Sequence, residues 1–373
     1  MQKLYWRPAR IEKSAHLLVA VIAVAGLVAV LRFERTLVQP HFEQKLAAAR
    51  LMQAGMELLR EHRVRHFGPV DLEVDPTHSG MVGLASSPVT TNTGSLEAKR
   101  TSTNPNWAAA VVDLLHEADV QPGDTIAVGF SGSFPALNLA ALCAAEVLEL
   151  EVVSIASVGA SSWGANVPGF TWLDMESLLN QGGIVSTRSI AASLGGTRDR
   201  AVGMGAAGRR RLEAVVRDAG IEFIETEEDV ESIDRRMDLY RLHAPGPIRA
   251  YVNVGGSLVS IGPKPVKRVY RPGLIRRLPP RASPIDSVIK RFIRGGVPVI
   301  NLSKIVPLAE SYGFPIEPTS MPPVGRGLVF ARQEVNLWLV GGALLAITGS
   351  LYALLHRGLG SRAGRGRRLE PMI

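Results

Sequence analysis

Two apolar runs, one towards each end, set the strongest limit on what this chain can fold into. Residues 17–31 (LLVAVIAVAGLVAVL) and 337–355 (LWLVGGALLAITGSLYALL) are both uninterrupted by charge. Each approaches the roughly 20 residues that cross a bilayer core as a helix. Lys3, Arg7, Arg10 and Lys13 precede the first run, and Arg357, Arg362, Arg365, Arg367 and Arg368 follow the second. Lys and Arg beside a span stay on the cytoplasmic side. The expected arrangement is a two-pass protein of the cell membrane. Both termini are cytoplasmic, and the intervening 300 residues or so are extracytoplasmic. The first run is at the upper limit for a secretory leader, so a retained anchor is expected over a cleaved signal.

This arrangement explains the net charge of +8 without a nucleic-acid partner. Residues 1–35 carry a net +4, residues 356–373 carry another +4, and the remainder is neutral. The high pI therefore reports topology. The single cysteine, Cys143, excludes an intrachain disulfide and reads as a buried small hydrophobe. No Cys/His cluster has metal-ligand spacing, and no metal or cofactor is expected.

Between the runs, helical and strand patterns alternate. Residues 36–66 carry a helical stripe (Phe42, Leu46, Ala49, Met52, Met56, Leu59), read as a stalk that packs on the domain or on a sister chain. Short apolar strands are expected at residues 125–130 (TIAVGF), 151–156 (EVVSIA), 186–191, 221–224, 249–254 (RAYVNV) and 297–301 (VPVIN). Helices of about 10–16 residues separate them. Such alternation implies an α/β fold, a mostly parallel Rossmann-like sheet with helices on both faces. The expected domain spans residues 67–335, with a transmembrane helix at each end of the chain.

Ligands of open parallel sheets bind beyond the carboxyl ends of the strands. Three strand ends here share small polar chemistry. They are Ser131-Gly132-Ser133 after TIAVGF, residues 157–166 (SVGASSWGAN, with Ser161, Ser162 and Asn166) after EVVSIA, and Gly255-Gly256-Ser257 after RAYVNV. Glycines bring backbone N–H groups close to a ligand, and Ser and Asn add donors, a combination suited to a carboxylate or phosphate. Helix capping by Ser131 or Ser133, with Pro135 in the first turn, is the structural alternative. A polar stretch, residues 86–106, holds adjacent Lys99 and Arg100 and reads as a binding loop rather than a linker.

No catalytic signature fits. The run GFSGS is not a nucleophile elbow, because serine stands where the second glycine belongs, and no P-loop is present. Its strand-turn-helix context still suits a nucleophilic Ser131 or Ser133, with His78, His116 or His243 as a base that spacing does not choose. Asp174 and Glu176, two residues apart on a helix, do not face one another; N-capping is the default for Asp174.

Charge is also segregated. Residues 213–238 carry ten acids, and residues 264–294 carry ten bases against Asp286. The basic stretch is Pro-rich and includes Lys267, Arg268, Arg271, Arg276, Arg277 and Arg281. It suits an anionic polymer or lipid headgroups, and pairing with the acidic segment is the competing reading.

Four segments resemble the poly-gamma-glutamate system protein family: SLEAKRTSTNPNWAA (95–109), GFSGSFPALN (129–138), SVGASSWGAN (157–166) and FTWLDME (170–176). The resemblance covers about a quarter of the chain and includes the flanking spans. It implies a membrane component of poly-γ-glutamate synthesis and export. Its expected partners are the polymer or a related polyanion, the membrane subunits of the polymer synthase and the lipid bilayer. It assigns no catalytic residue. The combined expectation is an accessory protein that binds the anionic polymer through Lys99, Arg100, Ser131, Gly132, Ser133, Ser161, Ser162 and Asn166, helped by the basic loop. The alternative is a Ser-dependent hydrolase or transferase that processes the polymer.

Overall fold

A computed structural model of the chain describes residues 13–279 and 285–363. Lys3, Arg7, Arg10, Arg281, Arg365, Arg367 and Arg368 lie outside the described residues, as do the side chains of Lys13, Arg357 and Arg362. The chain divides into two units, Met1–Val38 with Ala331–Ile373, and Gln39–Phe330.

In the first unit, strand β1 (Arg35–Val38) pairs antiparallel with the late strand Ala331–Glu334. Helices Lys13–Arg32 and Leu337–Ala363 approach closely at Gly26, where a Cβ would lie 2.9 Å from the Cβ of Ala343. Leu337–Leu354 is long and apolar enough to cross a membrane, and none of it is buried inside the protein. The apolar part of the N-terminal helix, His16–Arg32, is shorter. Among the described residues, one candidate span therefore stands where two are expected.

The second unit is the α/β fold. Its strands are β2 (Thr125–Ser131), β3 (Glu151–Ser157), β4 (Ala191–Ser193), β5 (Glu222–Phe223), β6 (Ile248–Val254), β7 (Gly273–Ile275) and β8 (Val299–Leu302). They form one sheet in the order β5-β4-β3-β2-β6-β8-β7, parallel except for β7. The remaining strand, β9, is Ala331–Glu334 of the first unit. From β2 the chain winds outwards through β3, β4 and β5, then returns to β6 on the other side of β2 and winds the opposite way. The winding reverses between β2 and β6, which is the crevice position of a doubly wound sheet.

Both faces of the sheet are covered, so its strands are apolar almost throughout. Ile126, Val128 and Phe130 of β2 enter one core with helices Phe42–Phe67, Trp107–Glu117, Pro135–Val147 and Trp172–Gln181. Ala127 enters the other core, with Tyr240 of helix Asp229–His243 and Phe292 of helix Val288–Arg294. The single thiol, Cys143, is wholly buried and burial pushes its pKa up, as expected of an inert core residue.

The stretch read as a stalk is a helix that packs on the domain, one of its two expected arrangements. Helix Phe42–Phe67 buries Ala48, Ala49, Met52, Met56 and Leu59 against the helices beside it. Its buried Lys45 meets Asp113 at 2.5 Å, and its Arg63 donates to the Val82 carbonyl at 2.5 Å. The apolar stripe is thus a layer of the domain and not a coiled-coil seam. Asp174 caps from within the helix, where its carboxylate accepts the Thr171 N–H at 2.7 Å. Glu176 points into the core and accepts from both the N–H and the hydroxyl of Ser189. Desolvation pushes its carboxyl up to about 7.

The strand expected at residues 186–191 forms slightly later, as β4. Strand β7 is absent from the expectation, because Gly273–Ile275 is embedded among prolines and arginines and gives no period to read.

Candidate anion cleft

Beyond the carboxyl ends of β2, β3 and β6 lies a cleft of about 590 Å³. Ser131, Ser133 and Phe134 line it from the β2 end, and Ser157, Gly159 and Ser161 from the β3 end. Gly256, Ser257 and Lys267 line it from the β6 side, and Thr91–Ser95 with Lys99 fold over it from the polar stretch. Gly196 and Thr197, which follow β4, complete the wall. Among the described residues no carboxylate lines it, and the two charged side chains on its walls are both lysines.

The polar stretch is ordered by its own caps and by the loop beneath it. Ser95 Oγ caps helix Leu96–Ser102 by accepting the Ala98 N–H at 3.3 Å. Thr91 N–H donates to the Ala160 carbonyl, and Ser162 N–H to the Asn92 carbonyl, each at 2.8 Å. These bonds lay residues 91–94 across the β3 end. Gly94 is needed there, since a Cβ would fall 2.5 Å from the Ser162 carbonyl oxygen and 3.1 Å from Ser161 Oγ. Among the described residues, nothing accepts from the N–H groups of Thr93, Gly94, Gly256 and Ser257. Their partners are therefore solvent or a bound ligand.

Lys99 is the centre of the site. Only 3% of it is exposed. Its Nζ donates to the Ser133 carbonyl and to Ser161 Oγ at 3.0 Å, and lies 3.8 Å from the centroid of the Phe134 ring. Burial disfavours the ammonium and pushes its pKa down to about 7. The serines form a chain: Ser131 Oγ accepts the Ser133 N–H, and Ser133 Oγ accepts the Ser161 N–H. Neither Ser131 nor Ser133 caps the following helix, whose N-cap is Phe134 with no side-chain bond, although Pro135 does stand in its first turn. The Ser131 backbone is clasped instead by Asn138. Lys267, on the facing wall, donates to the Gly256 carbonyl.

A buried ion pair supports the floor. Arg236 Nη2 donates to Asp199 Oδ2 at 2.8 Å and to Ser193 Oγ at 2.6 Å, and lies 3.5 Å from the cleft-lining Ser157 Oγ. Asp199 also accepts from Ser193 and Ser232. It has φ +55°, next to Arg198 at +54°, so the turn after β4 is held in a left-handed conformation by these bonds.

Several expected site residues stand elsewhere. Arg100 turns away from the cleft and binds the Val74 and Glu73 carbonyls and Glu317. Successive helical residues point about 100° apart, so neighbours in sequence need not share a site. Asn166 is fully buried and clasps Leu84 through both its N–H and carbonyl, while its amide also donates to Thr90. Ser162 fastens the 91–94 loop, and Gly132 is a close-packing position, where a Cβ would meet the Val158 carbonyl at 2.5 Å. None of His78, His116 or His243 lines the cleft. His116 instead stacks on His41 and bonds Gln44.

The basic loop is divided by β7. That strand runs antiparallel to β8, with Gly273 opposite Asn301 and Ile275 opposite Val299. It carries the chain from the carboxyl rim of the sheet, where Lys267 lies, to the opposite rim. There Arg276 pairs with Asp119 at 2.6 Å. Arg268 and Arg271 are exposed before β7, and Arg277 is exposed after it. The five described bases therefore do not form one patch. Arg291 pairs with Asp234 of the acidic segment and with Asp286 of its own stretch.

Sequence reasoning missed Thr91–Gly94, Thr197 and the Arg236–Asp199 pair. The first lies within the polar stretch read as a binding loop, so a signal existed. The ion pair had none, because its partners are 37 residues apart. No family model, curated protein or solved structure matches the chain.

Proposed function

We propose that this protein is a membrane-anchored accessory component of poly-γ-glutamate synthesis and export, and that its cleft receives carboxylate-bearing segments of the polymer. One observation carries the reading: a cleft at the winding reversal of the sheet, walled by hydroxyls, unpartnered N–H groups and two lysines, with no described carboxylate among them. Such a wall favours an anion and repels nothing acidic. Three of the four segments that resemble the poly-gamma-glutamate system family build it. They supply Ser95 and Lys99, then Ser131, Ser133 and Phe134, then Ser157, Gly159 and Ser161. The fourth supplies the buried Trp172 and Glu176 of the adjoining helix.

Poly-γ-glutamate should bind the full chain in detergent, and the affinity should fall at least tenfold between 50 mM and 500 mM salt, since exposed charge attraction is screened. Titration with labelled polymer measures this. Absent binding, or binding indifferent to salt, would refute the reading.

The same reading places both termini in the cytoplasm and the cleft outside, with the N-terminal helix as a second span. A reporter active only outside the cytoplasm, inserted in the exposed turn near Val202, should be active. Activity of a cytoplasm-only reporter at that position would reverse the topology.

A further inference from the structure

We propose that the cleft is also an acyl-transfer site, with the Ser161 hydroxyl as nucleophile and the Lys99 amine as its base, acting on an ester or amide that carries a nearby carboxylate. The inference stands on the cleft geometry and does not depend on the identity of the polymer.

Four serines face the cleft from the β2 and β3 ends, and their contacts separate them. Ser157 Oγ is engaged by Ser193 Oγ at 3.3 Å and lies 3.5 Å from the Arg236 guanidinium, a cation that cannot serve as its base. Ser131 Oγ accepts the N–H of Ser133, and Ser133 Oγ accepts the N–H of Ser161. Neither hydroxyl is bonded to a titratable side chain. Ser161 Oγ lies 3.0 Å from Lys99 Nζ, the reach a general base needs. The other hydrogen-bond partner of Nζ is the Ser133 carbonyl, which only accepts. A neutral amine satisfies both partners: an N–H goes to the carbonyl, and the lone pair faces the Ser161 hydroxyl.

The surroundings favour that neutral form. Lys99 is buried, among the described residues no carboxylate lines the cleft, and the other charged side chain on its wall is the cation Lys267. By contrast, the Phe134 ring face, 3.8 Å from Nζ, favours the ammonium. The Arg236–Asp199 pair beneath Ser157 is internally neutralised. The lowered Lys99 pKa, about 7, leaves a substantial fraction of free amine at neutral pH. Ser161 is itself part-exposed to the cleft, and the unpartnered N–H groups of Thr93 and Gly94 share its wall.

The step balances with water alone. Ser161 Oγ attacks the acyl carbon, and its proton passes to Lys99 Nζ. The carbon–nitrogen or carbon–oxygen bond then breaks, and the leaving group takes that proton. Water attacks the resulting Ser161 ester and gives a proton to Nζ. The free acid departs as the proton returns to Ser161 Oγ.

A fluorophosphonate tests this directly, because a nucleophilic serine displaces its fluoride and keeps the phosphonyl group. With the full chain in detergent, mass spectrometry should place the label on Ser161, and the labelling rate should rise several-fold from pH 6 to pH 8. Ser161→Ala should abolish the label, and Lys99→Met should slow it at least 100-fold while circular dichroism stays unchanged. Wild-type protein that is not labelled at Ser161, or is labelled at a rate flat across that pH range, would overturn the dyad whether or not either variant folds. Polymer binding in the same preparation is a separate readout, so loss of one proposal does not carry the other with it.

Discussion

Replacing Lys99 with methionine should make the protein more stable at neutral pH while weakening its hold on anions. Burial has moved the Lys99 pKa from 10.5 to about 7. Between those values the unfolded chain binds a proton that the folded chain does not, so stability rises with pH across this window. Below about 7 the folded protein carries the full penalty of an ammonium out of water, and above about 10.5 the penalty is gone. At pH 7 the penalty is roughly 4 kcal/mol from the shift alone. Methionine removes it but forfeits the bonds to the Ser133 carbonyl and Ser161 Oγ, worth about 1 kcal/mol each. A net gain of about 2 kcal/mol is expected at pH 7, shrinking and then reversing as the pH approaches 10.5. Guanidinium unfolding of both proteins at pH 7 and pH 10 measures it. A difference between variant and wild type that does not change with pH would show that Lys99 is not desolvated as described. A buried lysine that costs stability where it stands points to a role in binding or chemistry.

The opposite sign is expected beneath the cleft. Arg236→Met leaves the Asp199 carboxylate, itself 4% exposed, with only the Ser193 and Ser232 hydroxyls. Breaking a buried pair on one side costs about 3–5 kcal/mol, because the remaining charge has neither water nor a counter-ion. The double variant Arg236→Met with Asp199→Asn should recover at least ~1 kcal/mol, since the charge is then gone and Asn tolerates the left-handed backbone at this position. Chemical unfolding of the single and double variants gives both numbers. A single-variant loss below about 1 kcal/mol, or a double variant worse than the single, would mean that the pair does not brace the floor. Ser157, Gly196 and Thr197 are cleft residues that adjoin this network, so polymer binding should weaken along with stability.

The fold was legible where local pattern decides it. Continuous apolar runs such as TIAVGF, separated by amphipathic helices, require a parallel sheet buried on both faces, and β2, β3, β6 and β8 formed within two residues of their expected limits. Strand β7 was not legible, since an edge strand of three residues owes its pairing to β8 and not to its own period. The stripe on helix Phe42–Phe67 was legible as a helix, but the surface it covers was not: the same spacing serves a stalk, a coiled coil or a core layer.

By itself the sequence determined which strand ends carry hydroxyls and glycines, because strand and loop identities follow from composition and period along the chain. Only the tertiary structure decided which of those groups meet. Lys99 reaches Ser161 across 62 residues, while its neighbour Arg100 is turned to Glu317, 217 residues away. The winding of the sheet gathers the carboxyl ends of its parallel strands on one rim, and the helical turn sends adjacent side chains in different directions. Proximity in the site is therefore a property of topology, which no local pattern records.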